Sequence, residues 1–176
     1  MVTGFHFMIF LILFFNIDVV LKPHAKYVMY VRAWYDAVSY AVYVTDGVMT
    51  DSSPPELSRA TKVTELLNIT SKSDVDFTTS TSAMTLTWDG VFRDSQAAIH
   101  HYVTSISKNL GGRDVALKQL TSSVTTTTFD GLKLDAGDVY YCTVVSYNEA
   151  GLFRSAYSDG IKVSYLRLLY SRQIEQ

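Results

Sequence analysis

The chain has 176 residues, of which 48% are apolar and 18% charged, and its formal net charge is -2. That balance supports a packed core and excludes global disorder. The absence of a basic run excludes nucleic acid as a partner, because such binding needs clustered Lys and Arg to displace counterions, and a single cysteine, Cys142, excludes an internal disulfide or a cysteine-based zinc site.

In chain order, residues 1–20 come first as a hydrophobic segment whose centre reads FMIFLILFF, ended by Asn16 and Asp18. The run is shorter than the roughly 20 residues of a membrane-spanning helix and has the length of a signal-peptide core. No Lys or Arg precedes it, and no small-x-small cleavage site follows. A signal-like segment, an uncleaved anchor, part of a truncated domain and a buried or interfacial strand all remain open. Membrane association, where it occurs, goes through this segment.

Residues 21–53 repeat a later stretch of the chain without a gap, at a constant offset of 113 positions. Leu21 matches Leu134, Tyr27 matches Tyr140, Val31 matches Val144, Ala37 matches Ala150, Asp46 matches Asp159 and Gly47 matches Gly160. Similar residues fill the gaps, as in Trp34 with Tyr147 and Thr45 with Ser158. An internal repeat sets the architecture, and here only the last third of the first copy is present. The pair Pro54-Pro55 marks the predicted boundary, since proline lacks a backbone donor and restrains its neighbour. The complete unit is 54–165, and 166–176 is a tail.

Within 54–165, Met84, Leu86 and Trp88 alternate with threonine, the period-2 pattern of a half-buried strand, and Asp89-Gly90 turns the chain. Tyr102, Thr104 and Ile106 share a second face, and Gly111-Gly112 marks the next turn. A threonine-rich strand is expected from Ser122 to Phe129, ended by Asp130-Gly131. Tyr140, Cys142, Val144 and Ser146 share one face of a long strand. Asn148 to Gly151 turns, and Ser158-Asp159-Gly160 introduces a last strand from Ile161 to Tyr165. The first strand, somewhere in 57–82, is hard to place. Short strands at this spacing predict an all-β antiparallel sandwich or barrel.

Three spacings resemble the fibronectin type III family. Trp88 ends the second main strand, where that family has its core tryptophan. Leu134 stands six residues before Tyr140, as in a tyrosine corner. Val144, Asn148 and Gly151 follow Tyr140 at plus four, plus eight and plus eleven. The segment LKPHAKY, Leu21 to Tyr27, repeats the corner with the family's frequent proline at Pro23. The resemblance implies a fibronectin type III-like, immunoglobulin-like β-sandwich, preceded by the C-terminal hairpin of a truncated repeat. A true immunoglobulin domain fits less well: Cys142 sits where its second cysteine belongs, but there is no first. The period of 113 exceeds the ~100 residues usual for such sandwiches. Val38 replaces the glycine found at Gly151, so a distorted turn is expected there.

Candidate chemistry is sparse. Cys142, on an inward face, reads as a small buried hydrophobe. His100 and His101 are adjacent on a strand and so expected on opposite faces, which disfavours a shared metal. The four Asp-Gly pairs, at Asp46, Asp89, Asp130 and Asp159, read as turn chemistry rather than a calcium loop. Asn68-Ile69-Thr70 is an N-glycosylation sequon, making Asn68 the candidate site. No phosphate loop, zinc motif or nucleophile elbow occurs, so neither catalytic or metal-binding residues nor a cofactor are expected. The family resemblance implies an extracellular or cell-surface module that binds or spaces other proteins in an adhesion, matrix or receptor setting. The alternatives are an accessory domain of a secreted enzyme and the ectodomain fragment of a membrane-anchored receptor.

Overall fold

The structure, a computed structural model, describes residues 20–23, 25–58 and 62–165. The hydrophobic run of 1–19 and the tail from 166 lie outside the described residues. Two compact units divide between Thr50 and Asp51. Among the described residues every regular element is a strand, and no helix is long and apolar enough to cross a membrane.

The first unit holds β1 (Lys26–Tyr27), β2 (Tyr30–Trp34), β3 (Tyr40–Val44) and β4 (Val48–Met49). The second holds β5 (Glu56–Leu57), β6 (Thr64–Leu66), β7 (Phe77–Thr78), β8 (Ala83–Thr87), β9 (Phe92–Arg93), β10 (Ile99–Ser107), β11 (Ala116–Thr121), β12 (Thr126–Asp130), β13 (Val139–Asn148), β14 (Phe153–Tyr157) and β15 (Ile161–Val163).

In the second unit one sheet runs β12-β8-β6. The larger sheet runs β11-β10-β13-β15-β7, with β14 also on β13. All pairings are antiparallel except β15 with β7. The alternation in sequence sets which side chains face inward. Met84, Leu86 and Trp88 from the smaller sheet meet Tyr102, Ile106, Tyr140, Cys142 and Val144 from the larger one in a single buried cluster, so the unit is all-β with the packing of a sandwich. The ring of Trp88 stands edge-on to that of Tyr102 at 5.4 Å, a favoured aromatic geometry.

On the outer face of β8, threonines pair across the strands. Thr85 and Thr128 hydroxyls lie 2.9 Å apart, as do those of Thr126 and Thr87. The threonine-rich run is therefore partly ladder, but it is not one strand. Residues 122–125 form a turn after β11, closed by Val124 N–H to the Thr121 carbonyl at 3.1 Å, and β12 begins only at Thr126. The last strand also ends at Val163 rather than Tyr165. The strand that sequence left unplaced is β6, followed by a long connection before β7.

The boundary differs from expectation as well. Asp51 and Ser53 join the second unit, because Asn148 Nδ2 donates to Asp51 Oδ2 at 2.6 Å and to the Ser53 carbonyl at 3.2 Å. Pro55 is buried there and its carbonyl accepts from Arg154 Nε at 3.2 Å. The prolines lead into β5 rather than forming a free linker.

The first unit repeats the end of the second, β13 to β15, pair for pair. Lys26 faces Met49 and Tyr27 faces Val48, as Val139 faces Lys162 and Tyr140 faces Ile161. The five pairs of β2 with β3, from Tyr30↔Val44 to Trp34↔Tyr40, correspond to those of β13 with β14, from Thr143↔Tyr157 to Tyr147↔Phe153. Capping bonds recur too: Met29 N–H donates to Thr45 Oγ1 at 3.0 Å, as Cys142 N–H donates to Ser158 Oγ at 2.9 Å. Gly47 and Gly160 hold φ of 93° and 99°, a left-handed backbone that glycine adopts without strain. At Gly160 a side chain would also meet the Tyr141 ring at 2.8 Å.

The turn at Val38 keeps its closing bond, Tyr35 N–H to the Ser39 carbonyl, at the position of Asn148 N–H to the Leu152 carbonyl. Asp36 Oδ1 secures it by accepting from Val38 and Ser39 N–H at 2.8 and 2.7 Å. The turn is altered as expected: Gly151 N–H reaches the Asn148 carbonyl at 3.0 Å, whereas Val38 N–H turns instead to Asp36 Oδ1, and the aspartate side chain supplies the tie.

Candidate functional site

The two tyrosine corners form in parallel. Tyr140 Oη accepts from Asp135 N–H at 2.8 Å, and Tyr27 Oη accepts from Lys22 N–H at 2.7 Å. Each corner ties the chain entering the hairpin to its first strand. Tyr140 is fully buried, whereas the Lys22 amide is exposed.

The environments of the two hairpins differ sharply. Val144 and Val145 are buried, covered by β10 and the opposite sheet. Their counterparts Val31 and Arg32 are exposed, as are Met29, Tyr30, Trp34, Tyr40 and Tyr43. This apolar hairpin surface is larger than isolated surface hydrophobes account for.

Asn68 lies on an exposed turn after β6. Its Oδ1 accepts from Thr70 N–H at 3.0 Å, from Thr70 Oγ1 at 2.7 Å and from Ser71 N–H at 3.0 Å. An Asx turn of this kind fixes the sequon on the surface and engages the carbonyl oxygen rather than the amide nitrogen that receives a glycan.

Cys142 is fully buried, 3.5 Å from Met84 Sδ, and burial holds its thiol well above the usual range. It is thus a core side chain and not a nucleophile. The histidines depart from expectation. A register irregularity between Ile99 and His101 breaks the alternation, and His100 Nδ1 lies 2.9 Å from His101 Nδ1. A bulge re-aims side chains in this way. His101 stacks on Tyr147 at 4.6 Å, so its ring is held by packing.

A further group was not evident in the sequence. Glu65 on β6, Asp74 in the following loop and Asp159 in the β14–β15 turn place carboxylate oxygens within 4.8 Å of one another. Lys62 Nζ bridges Asp74 Oδ2 at 2.6 Å and Asp159 Oδ2 at 2.5 Å. That ammonium lowers the Asp159 carboxyl, and the two carboxylates raise the Lys62 ammonium in return. Glu65 is only 1% exposed, and burial pushes its carboxyl up to about 7, with the nearby Ser158 hydroxyl drawing it part of the way back. Glu65 Oε1 and Oε2 and Asp74 Oδ1 are buried without a hydrogen bond of normal geometry. Spacings of nine and 94 positions carry no motif, and only the fold assembles the three. Asp159, read from sequence as a turn residue beside Gly160, directs its carboxylate to Lys62 and faces this group.

No protein-family model matches the chain, and no curated protein matches it.

Proposed function

We propose that the chain is a non-catalytic extracellular interaction or spacer module, built on a fibronectin type III-like domain with the terminal hairpin of a second copy before it. The observation that carries this reading is the hairpin repeated pair for pair with its tyrosine corner. Duplication of one sandwich unit along a chain gives repeated surfaces at fixed spacing, which suits adhesion, matrix and receptor proteins. A three-strand sheet packed on a longer one, with Trp88 directly after β8 and Tyr140 in a corner, supports the family assignment. The partners are other proteins, engaged through surface rather than through a pocket chemistry. Fold alone does not fix function, so the sequon supplies the test of location.

The chain is expressed behind a secretion leader in cultured animal cells. Soluble protein in the medium, carrying an N-glycosidase-sensitive glycan that Asn68→Gln removes, is the expected result. Retention as unglycosylated, misfolded chain, alongside soluble folding in a cytosolic host, would overturn the extracellular reading. An experimental structure with a different strand order would overturn the family assignment.

A further inference from the structure

We propose that Glu65, Asp74 and Asp159 form a calcium site in the second unit, where β6, the loop after it and the β14–β15 turn converge. Two calcium–oxygen bonds of about 2.3–2.6 Å place ligand oxygens up to about 5.2 Å apart. The three carboxylates, each offering one oxygen within 4.8 Å of the others, fall inside that span. The donors are all oxygen, which suits a hard cation.

The unmet polar atoms point the same way. Buried polar atoms in native proteins nearly always have partners. Here Glu65 Oε1, Glu65 Oε2 and Asp74 Oδ1 are buried without a hydrogen bond of normal geometry, although the Ser158 hydroxyl and the Cys142 thiol lie close to Glu65, and the Glu65 side chain is directed at the other two carboxylates. An apolar residue of similar volume would fill the Glu65 position at lower cost. A cation accounts for all three orphan oxygens at once.

Charge balance agrees. Three ionised carboxylates against the one Lys62 ammonium leave two negative charges, the complement of a single calcium ion. The ammonium holds one oxygen, Oδ2, of each aspartate and leaves the second oxygen of each, with both Glu65 oxygens, to the ion. The Lys62 side chain is 51% exposed and can swing outward as the ion enters, and the Asp159 side chain, 56% exposed, opens the site to solvent. The Cys142 thiol close to Glu65 stays protonated, and sulfur is a poor ligand for calcium.

The test is calorimetric titration of the chelator-stripped full chain with calcium, paired with thermal melts. One calcium per chain is expected, with a Kd near the ~10⁻⁴–10⁻³ M of extracellular calcium modules, together with a rise in Tm at saturation. Asp159→Asn, in a solvent-facing turn, keeps the fold and weakens binding by about tenfold or more, equivalent to ~1.4 kcal/mol or more. Glu65→Gln abolishes the calcium-dependent rise in Tm. Lys62→Gln tightens binding, since the competing ammonium is gone; a purely structural ion pair would instead lose stability with no response to calcium. The proposal is overturned by a lack of saturable uptake, by uptake unchanged in both Glu65→Gln and Asp159→Asn, or by magnesium or zinc binding that calcium does not displace.

Discussion

Changing each corner tyrosine to phenylalanine isolates one hydrogen bond in two settings. In Tyr140→Phe the ring still fills a fully buried position, while the Asp135 N–H loses an acceptor at 2.8 Å in a part-buried site. Loss of such a part-buried hydrogen bond costs ~0.5–1.5 kcal/mol. In Tyr27→Phe the Lys22 N–H is exposed and water replaces the phenol. Surface changes of that kind stay within ~0.5 kcal/mol. The two substitutions thus differ by up to about 1 kcal/mol, although the bonds they remove are of similar length. Urea unfolding of the full chain reads the first as a lower midpoint at unchanged slope. Amide exchange at Asp135 accelerates about tenfold for each 1.4 kcal/mol, while exchange at Lys22 changes little because that amide is already open. Equal effects at the two tyrosines, or none at Tyr140, would refute the assignment of the second corner as the buried, structural one.

Trp88→Ala removes the largest fully buried side chain and should cost ~3–5 kcal/mol, seen as an unfolded or strongly destabilised second unit by circular dichroism. Cys142 should resist alkylation in native buffer and react only on unfolding; fast native labelling would contradict its burial. In calcium-free buffer, Glu65 should make stability pH-dependent. Its folded-state carboxyl is raised from 4.5 to about 7, so its contribution is complete below 4.5 and is lost as pH rises through 7. Denaturant melts across that range should slope downward, and Glu65→Gln should flatten them.

Much of this architecture can be read from the chain because local chemistry and global packing agree. The alternation at Met84, Leu86 and Trp88 sets the face of β8, and the constant offset of 113 foretells a register that the two hairpins share pair by pair. Asp-Gly pairs mark turns because glycine takes positive φ beside aspartate, as at Gly47, Gly90, Gly131 and Gly160. Other features depend on tertiary context. A threonine suits both a ladder and a turn, so the break at 122–125 leaves no local signal. The bulge before His101 shifts alternation by one place, and only the pairing with β13 shows it. The carboxylate group is least legible, because Glu65 and Asp159 are far apart in sequence and meet only once both sheets have formed. The prolines at 54–55 look like a linker by composition, yet the neighbouring Asp51 and Ser53 bond to Asn148 on the end of β13.

Hydrogen exchange resolved to single amides along the whole chain tests the central claim, that one self-sufficient sandwich is accompanied by a hairpin repeating its last three strands. In the sandwich, β13 lies between β10 and β14 with buried side chains, whereas in the hairpin, among the described residues, β2 pairs only with β3 and its side chains are exposed. Protection should therefore approach the global stability of the second unit from Tyr140 to Val145 and be far lower from Tyr27 to Arg32. Removing residues before Asp51 should leave the first pattern intact. Equally slow exchange in both segments, lost together on that truncation, would contradict the account by showing that hairpin and sandwich fold as one cooperative body.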